Sequence, residues 1–148
     1  MSIPNPETLI KGDKNEQLPA VEQVGTISLE TLHQYHCNNP DRRMLSLFGR
    51  VYDVTSSEAS YGSDGAYKEY AGHDMTLALA MHKTDEKWLD KFVIMKEKWV
   101  TSAKGWQDFF DAKYPVAGFL ENWNEDPESW PELSEEELLD LEKGCIVM

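Results

Sequence analysis

Cysteine is scarce in this 148-residue chain, and that excludes one way of holding a small protein together. Cys37 and Cys145 are too few and too far apart for a disulfide framework, and no Cys/His set in the sequence has metal-ligand spacing. Cys37 reads as a reduced, ordinary thiol. Apolar runs of 18 residues are also missing, so no segment is expected to span a bilayer. The amino terminus has neither the basic nor the apolar region of a signal peptide, and it has Ser2 where myristoylation needs glycine, which points to a cytosolic protein. Positive charge is short as well: 14 Lys and Arg face 27 Asp and Glu, a formal net charge of -13 that argues against nucleic-acid binding. There is no nucleotide-binding glycine loop, no nucleophile elbow and no H-E-x-x-H, so an autonomous enzyme has little support.

Aromatic residues are plentiful, with five Trp, six Tyr and five Phe, enough for one modest core. Residues 1–25 are rich in Pro, Asn, Glu and Lys and read as a flexible leader. In TISLETLHQYH, Ser28 is placed to cap a helix bearing Leu29, Leu32 and Tyr35 on one face. MLSLF and VYDVT read as two strands of a hairpin joined through Gly49 and Arg50. Three helical segments are expected next. The first is capped by Asp74 and carries Met75, Ala78, Leu79 and Met81; the second carries Trp88, Leu89, Phe92 and Met95; the third carries Trp106, Phe109 and Phe110. PVAGFL returns to extended structure, so the class is α+β. From Glu121 to Glu142 there are ten acidic residues and no Lys or Arg, which reads as a solvated linker. It ends in a short helix with Ser134 and Glu137 as a capping box, Leu138 and Leu141 on one face, and Gly144 as its stop.

The stretch YGSDGAY, Tyr61 to Tyr67, is first of all a turn: Gly62 and Gly65 permit positive φ, and Ser63 and Asp64 can bond their own backbone. Glycine between aromatic rings also lets a backbone approach a flat ligand closely. GRVYDVT, YGSDGAYKEYAGHD and WQDFFDAKY follow one another in an order and spacing that resembles the cytochrome b5-like haem/steroid-binding domain of the membrane-associated progesterone receptor family. The likeness runs from about Ile27 to Leu120, giving a leader at 1–25, the domain at 26–120 and an acidic tail at 121–148.

The resemblance implies a small sheet with a group of short helices forming a ligand groove. It implies non-covalent haem b, with iron held by the second loop tyrosine, which is Tyr67 here, and with Tyr61, Lys113 and Tyr114 as the other pocket residues. An anionic phenolate oxygen favours ferric iron, and a neighbouring ammonium or hydroxyl orients it or a haem propionate. Ser63 and Ala66 replace both family prolines, which removes φ restriction from the loop. His73 stands where the family pattern A-G-R-D has arginine. The H-P-G-G motif of true cytochrome b5 is missing, but MHKTD is similar to the G-H-S-T-D around its second axial histidine, so His82 is a candidate second ligand.

The last four residues, Cys145-Ile146-Val147-Met148, read as a C-a-a-X box whose terminal Met favours farnesyl at Cys145. One prenyl chain gives marginal, reversible anchoring, and the acidic tail behind it would be repelled by an anionic leaflet. The expectation is a protein reversibly attached to the cytosolic face of a membrane, helped by a prenyl-binding carrier or a membrane partner. Two functions remain open. One is a haem module for electron transfer, or for haem sensing or delivery to a redox or haem-dependent partner enzyme; the other is a haem-free prenylated adaptor whose groove takes a protein or a sterol-like molecule.

Overall fold

The protein is described by a computed structural model over residues 20–83, 85–121, 123 and 130–139. Four strands form one mixed sheet in the order β1-β4-β3-β2: β1 Gly25–Ile27, β2 Met44–Leu47, β3 Arg50–Asp53 and β4 Val116–Leu120. The central pairs are antiparallel, and β1 joins β4 in parallel, Gly25 opposite Gly118. Helices α1 Leu29–Leu32, α2 Glu58–Tyr61, α3 Thr76–Met81 and the long α4 Glu97–Lys113 accompany it, and residues 135–139 are also helical. This is the α+β arrangement expected.

Period-two alternation along the strands explains why the sheet is covered on both faces. Leu45, Leu47 and Tyr52 meet Tyr61, Met75, Leu77, Trp88 and Phe110 on the side of α3 and α4. Met44 and Val51 meet Ile27, Leu32, Ala117 and Leu120 on the other. The Ser28 hydroxyl accepts from the Thr31 N–H at 3.0 Å, so the first helix is capped as expected. The hairpin is present, but its turn residues are Phe48 and Gly49, both at positive φ, while Arg50 already pairs with Leu47. Two consecutive left-handed residues match the twist of a two-residue hairpin, which accounts for the shift.

The motif AGHD closes the free edge of β2. Gly72 N–H donates to the Met44 carbonyl, Ser46 N–H to that of His73, and Met75 N–H to that of Ser46. Asp74, 1 % exposed, accepts from the Ser46 hydroxyl at 2.7 Å and from the Thr76 N–H at 3.2 Å. The N-cap of α3 is Met75, with no side-chain cap bond, so Asp74 stands one residue before the capping position expected of it. Burial pushes its carboxyl up to about 7, against those hydrogen bonds and with the Asp90 charge adding to the rise.

Three expectations are corrected. The second helical segment is a single 3-10 turn, Glu86–Trp88, followed by irregular chain. Asp90 at φ 58° and the Asp74 N–H bond to its side chain pull that segment out of helix, and Trp88 and Phe92 belong to different clusters. Residues ascribed by composition to the leader are attached: Val21 and Val24 pack under the sheet, and Val24 N–H donates to the Ala117 carbonyl. The acidic tail is more than a solvated linker, since Trp123 and Trp130 pack edge to face with each other and against Phe48 and Phe92 respectively. Its capping box is present, Glu137 N–H donating to the Ser134 hydroxyl at 3.1 Å and Ser134 N–H to the Glu137 carboxylate at 2.8 Å. Residues 1–19, Leu141, Gly144 and Cys145 lie outside the described residues.

Helix α4 is fixed to the sheet by a buried charge. Arg50 of β3 and Asp111 of α4, 3 % and 4 % exposed, form an ion pair, and the Tyr52 hydroxyl donates to the same Asp111 oxygen at 2.6 Å. Asp111→Ala should therefore lower unfolding stability by about 3–5 kcal/mol in a urea titration, because it strands Arg50 in the core. A loss of no more than about 1 kcal/mol, the range of a solvent-exposed pair, would show that the pair is not a structural tie.

Candidate functional site

A cleft of about 470 Å³ opens between α3, α4 and the tyrosine loop that follows α2. The loop is built by doubling back along α2. Gly62 N–H donates to the Glu58 carbonyl, Ala66 N–H to that of Ala59 at 3.1 Å and Tyr67 N–H to that of Ser60 at 2.7 Å. Neither loop glycine is at positive φ, contrary to the expectation from sequence; the glycines at positive φ among the described residues are Gly25, Gly49 and Gly72. The loop needs glycine for closeness instead. A Cβ on Gly65 would sit 2.5 Å from the Ser60 carbonyl carbon and oxygen, and one on Gly62 would sit 2.7 Å from the Glu58 oxygen. Ala66, in place of a family proline, donates an N–H that proline does not have. That bond restores part of the order that the proline would have supplied through φ.

All five residues singled out from sequence line the same cleft: Tyr61, Tyr67, Lys113, Tyr114 and His82. Tyr61 and Tyr114 form its inner wall, 6 % and 2 % exposed, with ring centroids 6.2 Å apart, and the Tyr114 and Ser57 hydroxyls share a hydrogen bond of 2.9 Å. Burial, and then the neighbouring phenols Tyr114, Tyr67 and Tyr70, hold the Tyr61 hydroxyl well above its ordinary pKa, so it stays a neutral O–H. Tyr67 stands at the mouth, 53 % exposed, stacked on Tyr70 at 6.1 Å. The Lys113 ammonium lies over the rings of Phe109 and Tyr114 at 5.3 and 5.5 Å, near the end of α4. His82 ends α3 in the left-handed region, φ 57°, and its Nε2 is 3.2 Å from the Ser102 hydroxyl.

The remaining walls are apolar, from Met75, Ala78, Leu79, Trp106 and Phe110. Sequence patterning assigned these to packing faces of α3 and α4 and passed over Tyr70. The signal that separates cleft from core is exposure: Phe109 is 48 % exposed on a helix whose other face is buried. Chemically the cleft is a largely apolar slot lined also by two lysines, Lys83 and Lys113, with Tyr67 as its most exposed phenol. The donor set is compatible with haem, since Tyr67 could offer an oxygen donor to iron and Lys113 a cation to a propionate.

A small α+β ligand-binding module of the cytochrome b5 fold is what this sheet and cleft define. Residues 28–101 match the cytochrome b5-like Heme/Steroid binding domain family, and the chain belongs to that family. It is 36 % identical over 91 residues to the Arabidopsis thaliana protein named probable steroid-binding protein 3, covering 60 % of this chain and 91 % of that one. It is 30 % identical over 97 residues to cytochrome P450 regulator dap1 of Schizosaccharomyces pombe, covering 60 % and 58 %. It is 32 % identical over 107 residues to human membrane-associated progesterone receptor component 2, covering 70 % and 49 %. The chain thus spans nearly all of the first relative and about half of the other two. A hypothetical protein from Arabidopsis thaliana, described as having a cytochrome b5 like fold, superposes with a TM-score of 0.61 at 30 % identity, covering 68 % of this chain and 94 % of that one.

Because the loop depends on backbone closeness at Gly65, Gly65→Ala should destabilise the protein by about 1–3 kcal/mol and speed amide exchange at Tyr67. Hydrogen exchange checks it. Unchanged protection at Tyr67 would mean that the loop is not held by its bond to Ser60.

Proposed function

We propose that this protein is a haem-binding module of the cytochrome b5 fold that serves a membrane-associated partner enzyme. The observation that carries the reading is that Tyr67, the most exposed phenol of the cleft, lines it together with the buried, neutral Tyr61 and with Lys113. When bound, haem would supply one-electron chemistry, with a phenolate ligand favouring the ferric state. Tyr67 would supply the oxygen donor to iron, with the neutral Tyr61 hydroxyl and the Tyr114 ring forming the inner wall of the cleft. Lys113 neutralises a propionate, and the α3 and α4 side chains exclude water from the macrocycle's faces. His82 lines the same cleft with its Nε2 beside Ser102, which makes it a less suitable ligand than Tyr67.

The name of the fission-yeast relative supports a partner enzyme of the cytochrome P450 type. The names of the plant relatives, together with the largely apolar cleft lining, support a second reading, a sterol-like ligand in the same cleft. The proposal places the module at a membrane surface. Among the described residues no helix is long and apolar enough to cross a bilayer. The order Cys145-Ile146-Val147-Met148 supports a farnesyl tether at Cys145, assisted by a prenyl-binding carrier.

Haemin titrated into the unlipidated protein should give a saturable one-to-one Soret shift that Tyr67→Phe weakens by at least roughly tenfold, the cost of losing about 1.4 kcal/mol or more at the ligand. His82→Ala should leave it within about twofold. A folded wild-type protein with no saturable shift, but with saturable binding of a sterol probe that Tyr67→Trp weakens, would establish the second reading. For the tether, a farnesyltransferase reaction should lipidate the full chain and fail on Cys145→Ser, read by intact mass. An unmodified wild-type chain would remove the tether from the proposal.

A further inference from the structure

Away from the cleft, three side chains that the tyrosine chemistry does not use converge on one point. The Asp90 Oδ2 lies 3.0 Å from the His33 Nε2 and 2.6 Å from the His73 Nδ1, and the three donor atoms all fall within 4.8 Å of one another. They come from three separate segments: the turn after α1, the AGHD segment bridged to the edge of β2 and the irregular stretch before α4. We propose that His33, His73 and Asp90 form a site for a first-row divalent transition-metal ion of the Zn²⁺ type.

The chemistry of the donors supports it. Two imidazole nitrogens and one carboxylate oxygen are a donor set that zinc accepts, with a fourth position left for water. Bonds of about 2.0–2.1 Å set tetrahedral neighbours roughly 3.3 Å apart, so both nitrogens would withdraw by tenths of an ångström from the Asp90 oxygen, and the two rings, whose donor atoms lie within 4.8 Å, would close on each other. The carboxylate is already oriented from behind, because its other oxygen accepts from the Asp74 N–H at 2.7 Å. That is how the outer oxygen of a liganding carboxylate is commonly held. The Asp90 N–H in turn donates to the Asp74 carbonyl, and Asp90 sits at φ 58°, which turns its side chain toward the two rings. The side chains of His33, His73 and Asp90 are 43 %, 33 % and 20 % exposed, so an ion has access.

An ion here would staple the α1 turn and the loop of Asp90 to the AGHD segment that lies along β2. His73 N–H also donates to the carbonyl of Tyr70, a cleft residue, so the staple would stiffen one side of the cleft mouth. No sequence spacing announces the site, since its members lie 40 and 17 positions apart.

The test is calorimetric titration of the full chain, free of haem, with ZnCl₂, paired with Co²⁺ absorption to report the ligand set. One ion per chain is expected. His33→Ala, on an exposed turn, and His73→Arg, which keeps a cation beside Asp90 but offers no neutral donor nitrogen, should each weaken binding by at least tenfold. Direct ligands should cost at least what orienting partners do, which is roughly 10–100-fold. His36→Ala and Tyr67→Phe should leave the affinity unchanged. Absence of saturable one-to-one binding would overturn the proposal, and so would affinity that survives both His33→Ala and His73→Arg within twofold.

Discussion

The buried contact of Asp111 with Arg50 and Tyr52 is the constraint on which the cleft depends. Two charges inside a small core are tolerated only when each is paired and hydrogen-bonded, so Asp111 has a single acceptable position. That fixes the rotation of α4 about its axis. Gln107, one turn earlier, donates from its side chain to the Leu47 carbonyl and reinforces the same setting. With Gln107 and Asp111 turned to the sheet, Trp106, Phe109, Phe110 and Lys113 fall on the side that faces α3 and the tyrosine loop. The polar network contributes orientation; the apolar contacts with Leu45, Leu47 and Tyr52 contribute the larger share of burial.

The second constraint is the loop itself. Its backbone is held to α2 by successive hydrogen bonds, with Gly65 so close to Ser60 that no side chain fits between them. Tyr61 and Tyr67 are thereby separated by environment as well as position. One phenol is buried and kept neutral, and the other stands half exposed at the mouth. A chain that lacks the family's prolines can still present Tyr67, because Ala66 contributes a hydrogen bond in place of φ restriction.

Local signals in the sequence identified the elements whose cause is local. Ser28 caps a helix, Ser134 and Glu137 form a capping box, and MLSLF with VYDVT makes a hairpin, each determined by residues within a few positions. Where tertiary contacts decide, the pattern misled. Residues 86–95 carry apolar residues at helical spacing, yet Trp88 and Phe92 serve different clusters and Asp90 is recruited by Asp74. Strand β1 is three residues long and gains its identity from β4, so GTI has no period to read. Trp123 and Trp130 were masked by the acidic composition around them, although their rings reach the core surface. For the site, Tyr61, Tyr67, Lys113 and Tyr114 were legible as a set only through the resemblance of three ordered motifs. Their spacing alone supports a turn as readily as a pocket, and Tyr70 carried no separate signal.

The central claim is that the cleft holds haem through a single phenolate oxygen of Tyr67. The most direct measurement is an electron paramagnetic resonance spectrum of the ferric haem complex of the wild-type domain. The account predicts a high-spin spectrum, as expected when one oxygen ligand binds one side of the iron and no imidazole binds the other. A low-spin spectrum that turns high-spin in His82→Ala would contradict it and assign the iron to histidine.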